Sequence, residues 1–399
     1  MSFATHLQCS RCGASYPIDE LINVCRCGAG VLARYDLQAA KRALDRDKVA
    51  SSGRSMWKYR DLLPVFEPDD AITLGEGGTP LLPVPRLGER LGVRNLFLKD
   101  EGINPTGTFK ARGASVGASR ARELGARDLI LPSSGNAAYA WATYAAKGGM
   151  TMHLVFPGDA REINLKGSAL VGADMYLVDG DRGDAGRIAQ RAAERYGWFD
   201  VSKEPYRTEG KKTIGYEIAE QLGWRTPDVL LFPTGGGAGL AGISKAFREM
   251  AELGWIEGRM PRFVVVQSEG CWPVVRAYRE GRPVETWQNP YGIANGIRNP
   301  TPLWGDVIVS AVKESDGTGV VVTDEEILES VKLLAATESI LGCPEGCATV
   351  AGAARLKESG FIRPDDVVVL VNTGSGLKYP QLFEQPRVPR LKPGDEIVI

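Results

Sequence analysis

The chain has 399 residues, a net charge of −1, and 43% hydrophobic and 24% charged residues. That length exceeds one ordinary core and implies two folded units with an appendage, in the compositional range of soluble globular proteins. The near-neutral charge gives no general affinity for nucleic acid or an anionic membrane, and no apolar run approaches a membrane span. The start, Met1-Ser-Phe-Ala-Thr-His6, lacks the basic and apolar regions of a signal peptide, so the expected location is the cytoplasm.

Residues 1–35 read as a module of their own. Cys9-x2-Cys12 and Cys25-x-Cys27 have the layout of two metal knuckles in a zinc ribbon, with Gly13 and Gly28 able to take the positive φ that such turns need. The second knuckle is tighter than the usual C-x2-C, which leaves open a ribbon that has lost its metal; in either case its role is structural. The remaining cysteines, Cys271, Cys343 and Cys347, are scattered, and the odd total of seven argues against a disulfide framework. His6 and His153 are the only histidines, which nearly excludes a Ser-His-Asp triad or a histidine-rich metal site. His153, inside an apolar strand-like run, reads as a core residue, so proton transfer falls to lysine or a carboxylate.

A helical arm over 36–48 and a linker around Trp57 follow. From residue 95 strands alternate with helices. Strands are expected at 95–99, from 128, and at 151–156, 175–178, 229–232, 263–267 and 367–371. Helices are expected from near Phe109 and at 137–147, 162–171, 212–222 and 240–253. Near-continuous β-branched runs separated by helices imply parallel sheets covered on both faces.

Ligands of open α/β sheets bind at the carboxyl ends of strands, and four stretches there have unusual chemistry. In Asn104-Pro-Thr-Gly-Thr-Phe-Lys-Ala-Arg-Gly113, Lys110 opens a helix. The positive end of the helix dipole disfavours its ammonium form, as a Schiff-base lysine requires. Alone, the plainer reading is a solvated helix lysine. Ser133-Ser-Gly-Asn136 could nest a carboxylate or simply cap a helix. Thr234-Gly-Gly-Gly-Ala-Gly239, between a strand and a helix, suits a phosphate better than a dinucleotide, because no acidic ribose partner ends a strand at the required distance. Thr373-Gly-Ser-Gly-Leu-Lys378 is either a glycine-rich strand exit or a neutral hydroxyl presented to a ring nitrogen.

These four motifs, in this order, resemble those of the fold-type II pyridoxal-phosphate enzymes, the family of threonine synthase, threonine dehydratase and the tryptophan synthase β subunit. The likeness covers about residues 74–380. It is greatest to the threonine synthases, through the cysteine ribbon, Gly75-Glu-Gly-Gly-Thr-Pro80 and Tyr206-Arg-Thr-Glu-Gly-Lys-Lys-Thr213. The resemblance implies two doubly wound α/β domains of the tryptophan synthase β-like kind behind a zinc-ribbon-like module. The larger would comprise residues 36–113 and 205–399 and the smaller 114–204. It also implies pyridoxal 5'-phosphate, a structural zinc on Cys9, Cys12, Cys25 and Cys27 or a ribbon that has lost it, an amino-acid substrate and a homodimer.

By the same resemblance Lys110 forms the internal aldimine and moves protons. Gly235, Gly236, Gly237, Ala238 and Gly239 cradle the cofactor phosphate, Asn136 meets its phenolic oxygen and Thr373 its ring nitrogen. Thr106, Ser134, Gly135 and Arg112 bind substrate, and Lys211, Lys212, Arg207 and Arg112 are the cations for a substrate phosphate. The implied reaction is that of a lyase in threonine biosynthesis, turning O-phosphohomoserine and water into threonine and phosphate. A serine/threonine dehydratase (ammonia-lyase) or β-replacement enzyme is the alternative, and a non-catalytic binding protein a third reading. The chain departs from the threonine synthase pattern at Ala111, where aspartate is usual, and at the shortened Gly296-Ile-Arg-Asn-Pro300. Cys343 and Cys347 read as small packing residues.

Overall fold

Runs of valine, leucine and isoleucine form the strands because their branched side chains fill both faces of a covered sheet. The computed structural model describes residues 2–383 and 388–393. Residues 384–387 and 394–399, at the end of the 205–399 segment, lie outside it. Among the described residues the larger sheet has the order Thr318–Val322, Arg262–Ser268, Val229–Pro233, Val367–Asn372, Asn95–Asp100, Leu81–Pro83. Leu230 and Phe232 point into one hydrophobic core and Val229 and Leu231 into another, so its central strand is covered on both sides. The expectation of a wholly parallel sheet is corrected at one edge. Leu81–Pro83 runs antiparallel to Asn95–Asp100, and so short, proline-bearing a strand belongs only at an edge.

The second sheet, in the order Asp174–Val178, Thr151–Pro157, Asp128–Pro132, Phe199–Asp200, is parallel throughout. His153 is a core residue here: its ring stacks on Trp198 with centroids 3.5 Å apart, between the carboxylates of Asp128 and Asp174. Coverage on both faces fails at Asp174–Val178, where Met175, Tyr176 and Leu177 are exposed. A three-stranded antiparallel sheet (Ala4–Cys9, Ser15–Pro17, Val31–Tyr35) forms the N-terminal module. It shares one apolar cluster with Met56, Leu63, Val65, Val116 and Tyr206.

Two helices differ from the sequence reading. The arm breaks into Leu37–Ala43 and Arg46–Ser51 because Leu44 is extended and the Asp45 side chain caps the next helix, accepting from the N–H groups of Asp47 and Lys48. The helix placed at 212–222 begins at Tyr206, where Glu204 accepts from the Arg207 N–H at 3.0 Å. This Tyr206–Gln221 helix is buried nearly all round, so it has no amphipathic period to mark its start.

It packs on the Lys110–Glu123 helix at bare backbone. A Cβ on Gly210 would lie 2.1 Å from the Arg112 carbonyl oxygen, and one on Gly113 2.8 Å from that of Arg207. The crossing seals Arg112 inside. Its guanidinium donates to Glu101 (2.6 and 2.8 Å), Glu217 (2.7 and 2.7 Å), Thr213 (2.9 Å) and Thr79 (3.1 Å), and Lys99 joins Glu217 at 2.7 Å. Arg112 is 0% exposed, so the expectation that it binds substrate is corrected: its donors are engaged by buried partners. Lys212 is likewise held by Glu209 and Glu249, each at 2.9 Å.

Truncating Arg112 leaves two buried carboxylates short of their partner. Arg112→Ala should therefore lower stability by about 3–5 kcal/mol, read as a fall in the chemical-denaturation midpoint. An unchanged midpoint would contradict the network's role.

Candidate active site

Two loops at the carboxyl ends of strands and the turn between the Asp324–Glu338 and Pro344–Glu358 helices are joined backbone to backbone. The Phe109 N–H donates to the Thr373 carbonyl (3.0 Å), Ser375 to Gly107 (2.9 Å) and Cys343 to Gly374 (2.9 Å). Thr106 has φ +68, a left-handed conformation that costs a threonine about 1–2 kcal/mol, and Lys378 holds its carbonyl at 3.1 Å. The Thr106 hydroxyl is buried without a hydrogen-bond partner.

Lys110 begins its helix behind Phe109, which supplies no side-chain cap. It is half-buried, with its amine 4.4 Å from the centre of the Phe109 ring. Burial, reinforced by the charges of Arg207 and Arg182 and opposed by Glu345, pushes its pKa down to about 8. Lys211 reaches the same ring at 5.7 Å and is only 4% exposed. No hydrogen bond or ion pair holds its amine among the described residues. Burial, then Arg207 and Lys110, push it well below the usual lysine range. Arg207 donates to the Ser202 carbonyl and lies 3.6 Å from Glu204, whose carboxyl burial raises to about 7.

The glycine loop leaves Val229–Pro233 and enters the Ala238–Leu253 helix, whose Gly237 cap has φ +91 and no capping side chain. A Cβ on Gly237 would lie 2.4 Å from Ile308, one on Gly235 2.7 Å from the Gly296 carbonyl, and one on Gly239 2.3 Å from the Phe232 ring. Only bare backbone fits there, and the helix offers uncapped N–H groups to an anion. The Asn136–Lys147 helix also starts uncapped: Ser133 accepts from the Gly135 N–H at 3.3 Å, outside the helix. The plain capping reading of Ser134 is therefore not what forms.

Asn136 donates to the Tyr379 hydroxyl at 3.1 Å, while its own amide oxygen is buried with no partner. Thr373 lies 3.5 Å from the Cys343 sulfur, and burial raises the Cys343 thiol so that it stays neutral. The arrangement therefore brings together Lys110, Thr106, Ser134, Gly135, Asn136, the 235–239 loop and Thr373, and leaves Arg112 outside. An uncapped helix behind side-chain-free backbone, an unpartnered amide oxygen and a neutral hydroxyl fit a phosphorylated aromatic cofactor beside a lysine.

Sequence reasoning missed Tyr379, Arg161 and Lys378. The Arg161 guanidinium lies 4.0 Å over the Tyr379 ring, and burial pushes Lys378 to about 8. Lys378 and Tyr379 adjoin the Thr373 motif, which was the available signal for them; Arg161 had none.

The N-terminal cysteines converge. Cys9 and Cys27, and Cys12 and Cys25, have sulfurs 3.5 Å apart, and all four lie within 4.8 Å of one another. Tetrahedral zinc with Zn–S near 2.3 Å spaces its sulfurs by about 3.8 Å. N–H groups of Arg11 and Cys12 donate to Cys9 Sγ at 3.4 Å each, and Gly13 and Gly28 have φ +72 and +82. The set fits a soft divalent ion.

Comparison with known proteins agrees with this geometry. Residues 72–374 match the family model described as pyridoxal-phosphate dependent enzyme. The chain is 39% identical over 391 residues to a threonine synthase of Methanosarcina acetivorans, covering 96% of this chain and 95% of that one. It is 36% identical to a threonine synthase of Methanocaldococcus jannaschii, covering 94% and 93%. The fold is similar to that of maize serine racemase, with TM-score 0.67, 23% identity, and coverage of 76% of this chain and 90% of that one.

An amine whose pKa is lowered to about 8 becomes free base, and reactive, at lower pH than other lysines. In protein freed of cofactor, acylation of Lys110 should rise with pH and level off above about 8, when followed by peptide mass spectrometry. A rate still climbing through pH 10 would contradict the burial argument.

Proposed function

The chain belongs to the pyridoxal-phosphate dependent enzymes, and we propose that it converts O-phosphohomoserine and water to threonine and phosphate. The likeness to threonine synthases along nearly the whole chain supports the reaction class. The observation that carries the substrate is Lys211, a buried lysine whose amine has no hydrogen bond or ion pair among the described residues, beside Lys110, Arg207 and the raised carboxyl of Glu204. A dianionic phosphate ester restores its ammonium form and joins Arg207 in the place once expected of Arg112 and Lys212.

Bound at this site, pyridoxal phosphate supplies a carbonyl for covalent attachment and a ring that withdraws electrons from the substrate's Cα. In the proposal Lys110 is its anchor, and then the group that takes and returns protons on the substrate carbon chain. Its lowered pKa suits it to that exchange near neutral pH, and no histidine among the described residues competes for the role. Gly235, Gly236, Gly237, Ala238 and Gly239 take the cofactor phosphate, Asn136 its phenolic oxygen and Thr373 its ring nitrogen. Thr106, Ser134 and Gly135 receive the substrate carboxylate.

Thr373 brings no charge to the ring nitrogen, which favours elimination and replacement over transamination. The Cγ–O bond breaks with its electron pair leaving on phosphate. Cα and Cβ each give up a proton, Cγ gains one to become a methyl group, water supplies the hydroxyl at Cβ, and the two protons left over return to Cα and the departing phosphate. In the proposal the 235–239 loop takes the cofactor phosphate and the Arg207–Lys211 pair takes that of the substrate.

The proposal also takes Cys9, Cys12, Cys25 and Cys27 as a structural zinc site and the working form as a cytoplasmic homodimer. Residues 114–204 are taken as the smaller domain, and 36–113 with 205–399 as the larger.

Purified protein with cofactor should release phosphate and threonine in equal amounts from O-phosphohomoserine. Keto acid and ammonia from serine or threonine as the principal turnover would contradict the reading. Lys211→Met should lower kcat/KM for the phosphate ester by about 10- to 100-fold, the worth of a lost charged hydrogen bond, and leave cofactor absorbance intact. An equal loss with O-acetylhomoserine would show that Lys211 does not serve the phosphate.

A further inference from the structure

The cysteine knuckles and the glycine loop are joined by one residue, Trp304. Both knuckles pin Gly30: the Ser10 N–H donates to its carbonyl at 3.0 Å, and the Cys25 N–H donates to the neighbouring Ala29 carbonyl at 2.9 Å. Gly30 in turn is the floor of the Trp304 indole. A Cβ there would sit 2.7, 2.9 and 2.9 Å from three of its ring atoms. The indole is 2% exposed, and Trp304 stands at the start of the Gly305–Glu314 helix. The Trp304 main-chain N–H donates to the Gly236 carbonyl at 3.3 Å, and a Cβ on Gly237 would lie 3.0 Å from Trp304 Cβ. Arg11, from the first knuckle, adds a second tie. It lies 3.3 Å from Asp306 in the same helix and donates to the Cys27 carbonyl at 3.5 Å.

We propose that a zinc ion on the four cysteines holds the cofactor's phosphate loop in shape, with Trp304 as the positioning residue between them. The inference rests on the metal and cofactor sites proposed above. An ion shared by four thiolates holds them in register, and knuckle turns of this kind take their shape with the metal. When the metal leaves, Gly30 is free to recede and the indole loses its floor. The stretch it touches, 235–237, is all glycine with one residue at φ +91, so it has no side chains of its own to keep its N–H groups converged on an anion. The loss should therefore fall on the cofactor's phosphate. Lys110 and Thr373 are held instead by the loops around Gly107, Cys343 and Gly374, and Asn136 by its hydrogen bond to Tyr379.

Titrating cofactor-free protein with pyridoxal phosphate and with pyridoxal, which lacks the phosphate, separates the two effects. Zinc content is measured alongside by mass spectrometry. Removal of zinc should weaken pyridoxal phosphate about fivefold or more, the lower range of coupling between sites, and change pyridoxal by less than about twofold. Trp304→Ala should do the same with zinc in place, and zinc removal should then have no further effect. Trp304→Phe should recover part of the affinity. Gly30→Ala, which keeps the indole but pushes on it, is the second variant and should also weaken pyridoxal phosphate selectively.

Equal weakening of both aldehydes would overturn the proposal, because it would report general loosening. Unchanged affinity in Trp304→Ala would overturn it at the brace. A protein that neither carries nor takes up zinc would overturn it at the metal. Failure to bind either aldehyde would refute the cofactor reading itself.

Discussion

The site depends on backbone hydrogen bonds that tie the loop before Lys110 to the loops around Cys343 and Gly374. These bonds run main chain to main chain, so they fix the position of the lysine without using any side chain that chemistry needs. Thr106 and Gly107 take left-handed conformations to make the approach possible, and the strain at Thr106 is borne by the surrounding contacts. Lys110 then emerges at the start of a helix, beside an aromatic ring and near the charges of Arg207 and Arg182, where its ammonium form is disfavoured. Its chemistry follows from where the stitched loops place it.

A second constraint sorts the cations. Arg112, two residues beyond Lys110, turns to the opposite side of its helix and is buried between Glu101 and Glu217, where it locks the helix to the turn that follows the Asn95–Asp100 strand and to the Tyr206–Gln221 helix. Lys212 is closed between Glu209 and Glu249 in the same manner. The neighbours Lys211 and Arg207 point to Phe109 and Trp141 instead, with Glu204 as the nearby carboxylate. The carboxylates thus divide the basic residues into those that hold the helices together and those that remain for an anionic substrate. Burial of a lysine without an ion pair disfavours its charged form, a cost that an anionic group on the substrate would relieve in the proposed reaction.

Much of this was legible in the sequence, for physical reasons. The strands around Val229, Phe263 and Val367 announced themselves because a sheet covered on both faces requires unbroken branched residues. The glycine loop and the Asn104–Gly113 stretch were readable because close backbone approach to an anion and positive φ leave few residue types to choose from. What was misread depends on direction and on distance in space. Arg112 was assigned to substrate because it adjoins Lys110, yet residues two apart on a helix do not share a face. The start of the Tyr206 helix was hidden by burial on all sides. Arg161 reaches Tyr379 from another part of the chain, a meeting that no local pattern encodes. The brace through Trp304 needed the fold before Gly30 could be seen to matter.

The most direct measurement is the fate of the water oxygen. O-Phosphohomoserine would be turned over by the cofactor-loaded protein in water enriched in oxygen-18, with both products analysed by mass spectrometry. The account predicts one heavy oxygen in the threonine side chain and none in the released phosphate, since the bond broken is Cγ–O and water enters at Cβ. Heavy oxygen in the phosphate, with homoserine as the other product, would mean hydrolysis at phosphorus and would contradict it.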